Sequence, residues 1–91
     1  MAVSAEREFD ILNRLGLHAR AAAQLVRLAN GFASEIRVAK DGMEVNGKSI
    51  MGMLMLAAPK DTKILIHAIG PDAEEAVAAI GELIASKFGE E

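Results

Sequence analysis

The chain carries two histidines and no cysteine. A cysteine nucleophile, a thiolate metal site and a disulfide framework are therefore all excluded. The two histidines, His18 and His67, show no metal-ligand spacing, so no metal site is expected. His18 lies in the run Leu15-Gly16-Leu17-His18-Ala19-Arg20-Ala21-Ala22-Ala23, where a turn gives way to an Ala-rich stretch. This places His18 at or near a helix N-cap. The first amides of a helix lack intrahelical acceptors and carry the positive end of the macrodipole, so they form a ready anion site. Gly16 permits a tight approach, and Arg20 offers a guanidinium fork that matches phosphate oxygens. Positive potential there favours a neutral ring, whose lone pair is a nucleophile. The same groups would accommodate a phosphoryl group once it is attached, through the backbone of Ala19 and Arg20 and the Arg20 side chain. Spacing alone leaves two readings open: a helix-capping histidine, and a histidine that accepts and releases phosphate.

The elements that must position this segment follow from periodicity. Residues 6–12 (EREFDIL) alternate charged and apolar and are expected to form a half-buried strand. A helix is expected from His18 to Asn30, with Ala22, Leu25, Val26 and Ala29 on one face. Asn30-Gly31 is expected to end it in left-handed backbone. Residues 35–40 (EIRVAK) alternate again, Asp41-Gly42 signals a hairpin, and residues 43–46 return as a strand. Ser49 is a candidate N-cap for the short apolar helix of residues 50–56, which Pro59 is expected to stop. Residues 63–69 (KILIHAI) read as the fourth strand. His67 is expected to lie inert on its open face with Leu65 and Ile69. Asp72 and Glu75 have capping-box spacing for a last helix running to about Lys87. The order strand, helix, strand, strand, helix, strand, helix predicts an α+β fold: an open-faced β-sandwich, βαββαβα, with a four-stranded antiparallel sheet and three helices on one face. Residues 1–91 are expected to form a single domain.

Composition narrows the function. Apolar residues make up 52% of the chain, enough for a core built almost wholly of aliphatic side chains and Met. The net charge of −3 and the near absence of aromatics argue against a nucleic-acid partner. Residues 1–10 have neither a basic nor an apolar signal region, and the longest nearly uncharged run, 49–59, is too short to span a bilayer. A cytoplasmic location without membrane insertion is the expectation. Paired carboxylates, a nucleotide loop and a nucleophile–base–orienter set are absent from the sequence pattern, so a catalytic enzyme is not expected, and neither is a cofactor.

The run at residues 16–23 (GLHARAAA) resembles the active-site motif of the histidine-containing phosphocarrier family, HPr, of the bacterial phosphotransferase system. Asn46-Gly47-Lys48-Ser49-Ile50-Met51-Gly52 resembles its second signature, and the likeness extends over nearly the whole chain in the same element order. The resemblance implies that His18 takes phosphate on Nδ1 from phosphorylated enzyme I and donates it to enzyme IIA domains, with Arg20 as electrostatic partner. It implies a phosphoryl carrier rather than an enzyme, and a monomer is expected. It further implies that Ile50, Met51 and Leu54 form an exposed docking patch, and that Ser49 matches a serine phosphorylated by HPr kinase/phosphorylase in many bacteria. A phosphate there would add about two negative charges beside the patch. Arg20, Gln24 and Arg27 share a helix face, so Arg27 is a further candidate for docking acidic partners. Where the family commonly has Pro after the motif Arg, this chain has Ala21. Ala is a strong helix former, so the helix is expected to survive the change. Alternatives are a regulatory or nitrogen-branch homologue and a binding module of the same fold that lacks phosphohistidine.

Overall fold

The computed structural model describes residues 3–90. The elements run β1 (Ser4–Asp10), α1 (Ala19–Ala29), β2 (Glu35–Lys40), β3 (Met43–Asn46), α2 (Ile50–Leu56), β4 (Lys63–Ile69) and α3 (Ala73–Ala85), followed by a 3-10 turn at Lys87–Gly89. The strands form one antiparallel sheet in the order β1-β4-β2-β3. The expected fold class is present: an open-faced sheet with three helices on one side.

Alternation explains which face is covered. Ile64, Ile66 and Ala68 of β4 and Ile36 and Val38 of β2 are buried, and meet Leu25, Val26, Ile80 and Ile84 from the helices. Leu65, His67 and Ile69 project from the other face and are half-buried. His67 stands opposite Glu6 on β1 and Arg37 on β2. Among the described residues, no group of three or more His, Asp and Glu is placed to hold a metal. The β2–β3 turn has Asp41 and Gly42 both left-handed, at φ 50° and 82°, as a two-residue hairpin of this sequence requires.

Several boundaries depart from the expected ones. β1 spans 4–10 rather than 6–12, because its pairing with β4 runs from Ser4 opposite Ile69 to Asp10 opposite Lys63. Asn30 is right-handed, and α1 ends by tightening: Gly31 donates to Leu28 and Phe32 to Ala29. α2 keeps its expected bounds, but what stops it is a left-handed Ala57 ahead of Pro59, where the Lys40 ammonium donates to the carbonyls of Leu56 and Ala57. α3 ends at Ala85 because Lys87 and Phe88 both take φ near +60° and turn the chain back, which buries Phe88.

Asp72 holds the N-cap position of α3 but makes no side-chain cap bond. Its carboxylate instead accepts the Ala33 and Ser34 amides, each at 2.9 Å, and the Ser34 hydroxyl. It thereby ties the segment after α1 to the start of α3. The Ser34 hydroxyl first, and then the Ala33 amide, hold this carboxyl below its ordinary value of 3.8. A carboxyl lowered on folding adds stability above its unfolded value and loses it as pH falls through the folded one. Asp72→Asn is expected to flatten the acid limb of the stability curve. Urea midpoints measured from pH 7 down to about 2 check this, and parallel curves for the two proteins would contradict it.

Candidate functional site

The site forms where the chain leaves β1. Ile11 is still paired, donating to Thr62 and accepting from Asp61. Asn13 then turns inward and is fully buried, and its carbonyl accepts the Gly16 amide at 3.1 Å. Gly16 has φ +67°, and a Cβ there would come within 2.6 Å of the Ala58 carbonyl oxygen and 2.8 Å of Pro59 Cα. Only glycine combines that backbone with that approach. The next amide, of Leu17, donates to the same Ala58 carbonyl at 2.8 Å. Leu17 is buried, so the chain enters α1 at a fixed place.

His18 is the N-cap of α1. Its backbone is extended, its carbonyl accepts the Ala22 amide at 2.8 Å, and its ring Nδ1 faces the Arg20 amide at 3.4 Å. The amides of Ala19, Arg20 and Ala21 have no acceptor within the helix. No acid occupies the first turn. The ring is partly open to solvent, with 28% of its side-chain surface exposed.

One contact was invisible in the sequence. The carboxylate of Glu90 lies against the other ring nitrogen, with Oε1 at 2.8 Å and Oε2 at 3.0 Å from Nε2. Asn13 Nδ2 donates to the same Oε1 at 2.8 Å. The Asn13 amide is the main cause, and His18 a lesser one, that holds the Glu90 carboxyl below its ordinary value. An ionised carboxylate only accepts, so Nε2 donates; a neutral ring then has its lone pair on Nδ1. The Arg20 amide, a donor, points at Nδ1 and assigns the same tautomer. The expectation of a ring in purely positive potential is thus corrected: the helix terminus lies on the Nδ1 side and a carboxylate on the Nε2 side.

Of the other expected residues, Arg20 and Leu54 line depressions beside this centre. Arg20 is exposed and, with Arg14, Leu15 and Glu90, lines one shallow depression. A second is lined by Leu15, Leu17, His18, Leu54 and the Ala57-Ala58-Pro59 segment, which places the C-terminal half of α2 beside the ring. Ile50, Met51 and Leu54 are exposed, Met51 by 72%, while Met53 and Leu56 are buried. Leu15, read from sequence as turn, is exposed by 61% and adds to this apolar rim, as does Met55. Arg27 is exposed on α1, but Gln24 between Arg20 and Arg27 is half-buried and donates to the Phe88 carbonyl at 3.1 Å. Ser49 caps α2 as expected, its hydroxyl accepting the Gly52 amide at 3.1 Å.

The chain has close counterparts among known proteins. The family model for the PTS HPr component phosphorylation site matches residues 5–86. The phosphocarrier protein HPr of Cupriavidus necator is 46% identical over 85 residues, covering 93% of this chain and 96% of that protein. The crystal structure of HPr-C-His from Thermoanaerobacter tengcongensis superposes with a TM-score of 0.92 at 47% identity, covering 96% of this chain and 98% of that one. A structure of the HPr dimer from the same organism aligns at 0.77 and 48% identity, covering 90% and 94%.

Gly16 is the position at which the site's geometry is most easily broken. Gly16→Ala combines a left-handed residue with a methyl group inside the contact distance of Ala58 and Pro59. A loss of about 1–3 kcal/mol is expected in chemical denaturation. Gly42→Ala, where φ is +82° but nothing lies within 4 Å, is expected to lose less.

Proposed function

Because this chain belongs to the PTS HPr family of phosphocarriers, we propose that His18 is its phosphoryl acceptor, taking the group from phosphorylated enzyme I and passing it to enzyme IIA domains. The observation that carries the reading is the placement of His18: it is the N-cap of α1, with Nδ1 turned toward the Arg20 amide at a helix terminus that has no acid in its first turn. The Nδ1 lone pair attacks phosphorus and forms the new N–P bond. The donor's own N–P bond breaks, and its electron pair returns to the donor nitrogen. The phosphoryl oxygens then meet the amides of Ala19 and Arg20 and the Arg20 guanidinium, groups that favour negative charge. The onward transfer is the same step in reverse, with an enzyme IIA nucleophile attacking. The phosphoryl group stays transferable because the nitrogen leaves as a neutral ring.

Docking is assigned to the apolar rim beside the ring. Ile50, Met51 and Leu54 of α2 are exposed, with Leu54 lining the depression that holds the ring, and methionine repacks readily against different partners. Arg27, farther along α1, supplies charge to acidic partners. Ser49 is assigned as a regulatory position for HPr kinase/phosphorylase. Its hydroxyl caps α2 immediately before Ile50 and Met51, so a phosphate there would place charge at the edge of the patch while still accepting amides of the first turn.

Phosphorylation with purified enzyme I and labelled phosphoenolpyruvate tests the assignment. Wild type is expected to take up acid-labile, base-stable label, and His18→Ala none. Label retained in His18→Ala would overturn it. Arg20→Ala is expected to slow transfer about ten- to a hundredfold, the range of a lost charged hydrogen bond.

Ser49→Asp is expected to slow phosphorylation by enzyme I and to raise its half-saturating concentration. Ser49→Ala loses the cap, about 0.5–2 kcal/mol of stability, and is expected to keep the rate. Equal rates for wild type and Ser49→Asp would remove the regulatory assignment.

A further inference from the structure

The contact on the far side of the ring is more constrained than a surface ion pair. Asn13 is fully buried, and both hydrogens of its amide are used: one goes to the Gly16 carbonyl at 2.7 Å, the other to Glu90 Oε1 at 2.8 Å. Its Oδ1 has no partner among the described residues. The orientation is nonetheless fixed, because the flipped amide would set Oδ1 against a carbonyl and a carboxylate, both acceptors. The buried amide thus links the loop before His18 to the Glu90 carboxylate.

What it holds is Glu90, and the rest of the segment delivers that residue to the ring. Lys87, Phe88 and Gly89 all have positive φ and fold the chain back from α3. Phe88 is buried, and its carbonyl accepts Gln24 of α1. The Glu90 side chain is only 16% exposed. Its two oxygens share the Nε2 hydrogen, and it lines one depression with the side chains of Arg14 and Arg20.

We propose that Glu90, held by the buried amide of Asn13, is a positioning residue for phosphotransfer: it keeps the ring proton of His18 on Nε2 and so leaves Nδ1 as the acceptor. The proposal rests on the reading of His18 as phosphoryl acceptor. A neutral imidazole has one N–H. With Nε2–H donated to the carboxylate, the lone pair faces the helix terminus where a phosphoryl group is accommodated. When the N–P bond forms at Nδ1, Nε2 keeps its hydrogen and the ring becomes cationic; the carboxylate already in place offsets that charge. When the phosphoryl group leaves, the pair of the broken N–P bond returns to Nδ1 and restores the same tautomer. No proton has to move in either direction.

The test uses the full chain and reads two quantities: the 15N shifts of the His18 ring without any donor, and the rate of phosphorylation by enzyme I with phosphoenolpyruvate. Wild type is expected to show Nε2–H with Nδ1 unprotonated. Glu90→Ala is expected to raise the Nδ1–H share and slow transfer about five- to tenfold, the effect of one lost hydrogen bond. Glu90→Gln keeps an accepting carbonyl and is expected to restore the tautomer and most of the rate; a residue that merely packs would not show that rescue. Asn13→Ala disturbs a fully buried side chain, so the Glu90 variants decide, and their amide spectra confirm the fold. Wild-type tautomer in Glu90→Ala would overturn the proposal, as would a changed tautomer with an unchanged rate. If wild type takes no phosphate on His18, the phosphocarrier reading itself fails. The ring shifts, recorded without a donor, tell that failure apart from a wrong assignment of the Glu90 contact.

Discussion

The start of α1 is fixed by a single close approach. The Ala58 carbonyl accepts the Leu17 amide at 2.8 Å, and Gly16, lacking a side chain, lets the two loops meet. Everything at the site follows from it. The 11–17 loop cannot lengthen or slide, so the helix begins at Ala19 and His18 becomes its cap. The 57–62 loop is held against the same point, which sets the end of α2 beside the ring. The His18 ring and Leu54 of α2 thus share one junction of two loops, although they lie far apart in the sequence.

The electrostatics of the ring depend on direction more than on total charge. The chain is acidic overall, at −3. Yet no acid lies in the first turn of α1, and Arg14 and Arg20 flank the opening. Among the described residues, the carboxylate that reaches the ring is that of Glu90, at Nε2, opposite the helix terminus. The two ring nitrogens therefore sit in fields of opposite sign. That asymmetry distinguishes a nitrogen that holds a proton from a nitrogen that presents a lone pair.

Much of this was legible in the sequence, for local reasons. Strict alternation in residues 35–40 and 63–69 marked the strands and their buried faces, and Asp41-Gly42 could form only one kind of tight turn. Gly16 before His18, and an Ala-rich run after it, marked a turn feeding a helix N-terminus. The misreadings came where a side chain answered to a distant partner. Asp72 has the spacing of a cap, but the Ser34 hydroxyl and two amides, 38 and 39 positions away, bind its carboxylate instead. Glu90 lies 72 positions from His18 and reaches it only because Lys87 and Phe88 adopt left-handed backbone. Neither residue type advertises that conformation; burial of Phe88 decides it. Asn13 likewise carries no local signal of burial, and the role of its amide is visible only with Glu90 in place.

The central claim is that the phosphoryl group is carried on Nδ1 of His18, the nitrogen facing the helix terminus. The most direct measurement is a phosphorus–nitrogen correlation spectrum of the 15N-labelled chain after phosphorylation by enzyme I and phosphoenolpyruvate. The account predicts one phosphorus signal, coupled to Nδ1 of His18, with Nε2 still bearing hydrogen. Coupling to Nε2, or to any nitrogen of His67, would contradict it.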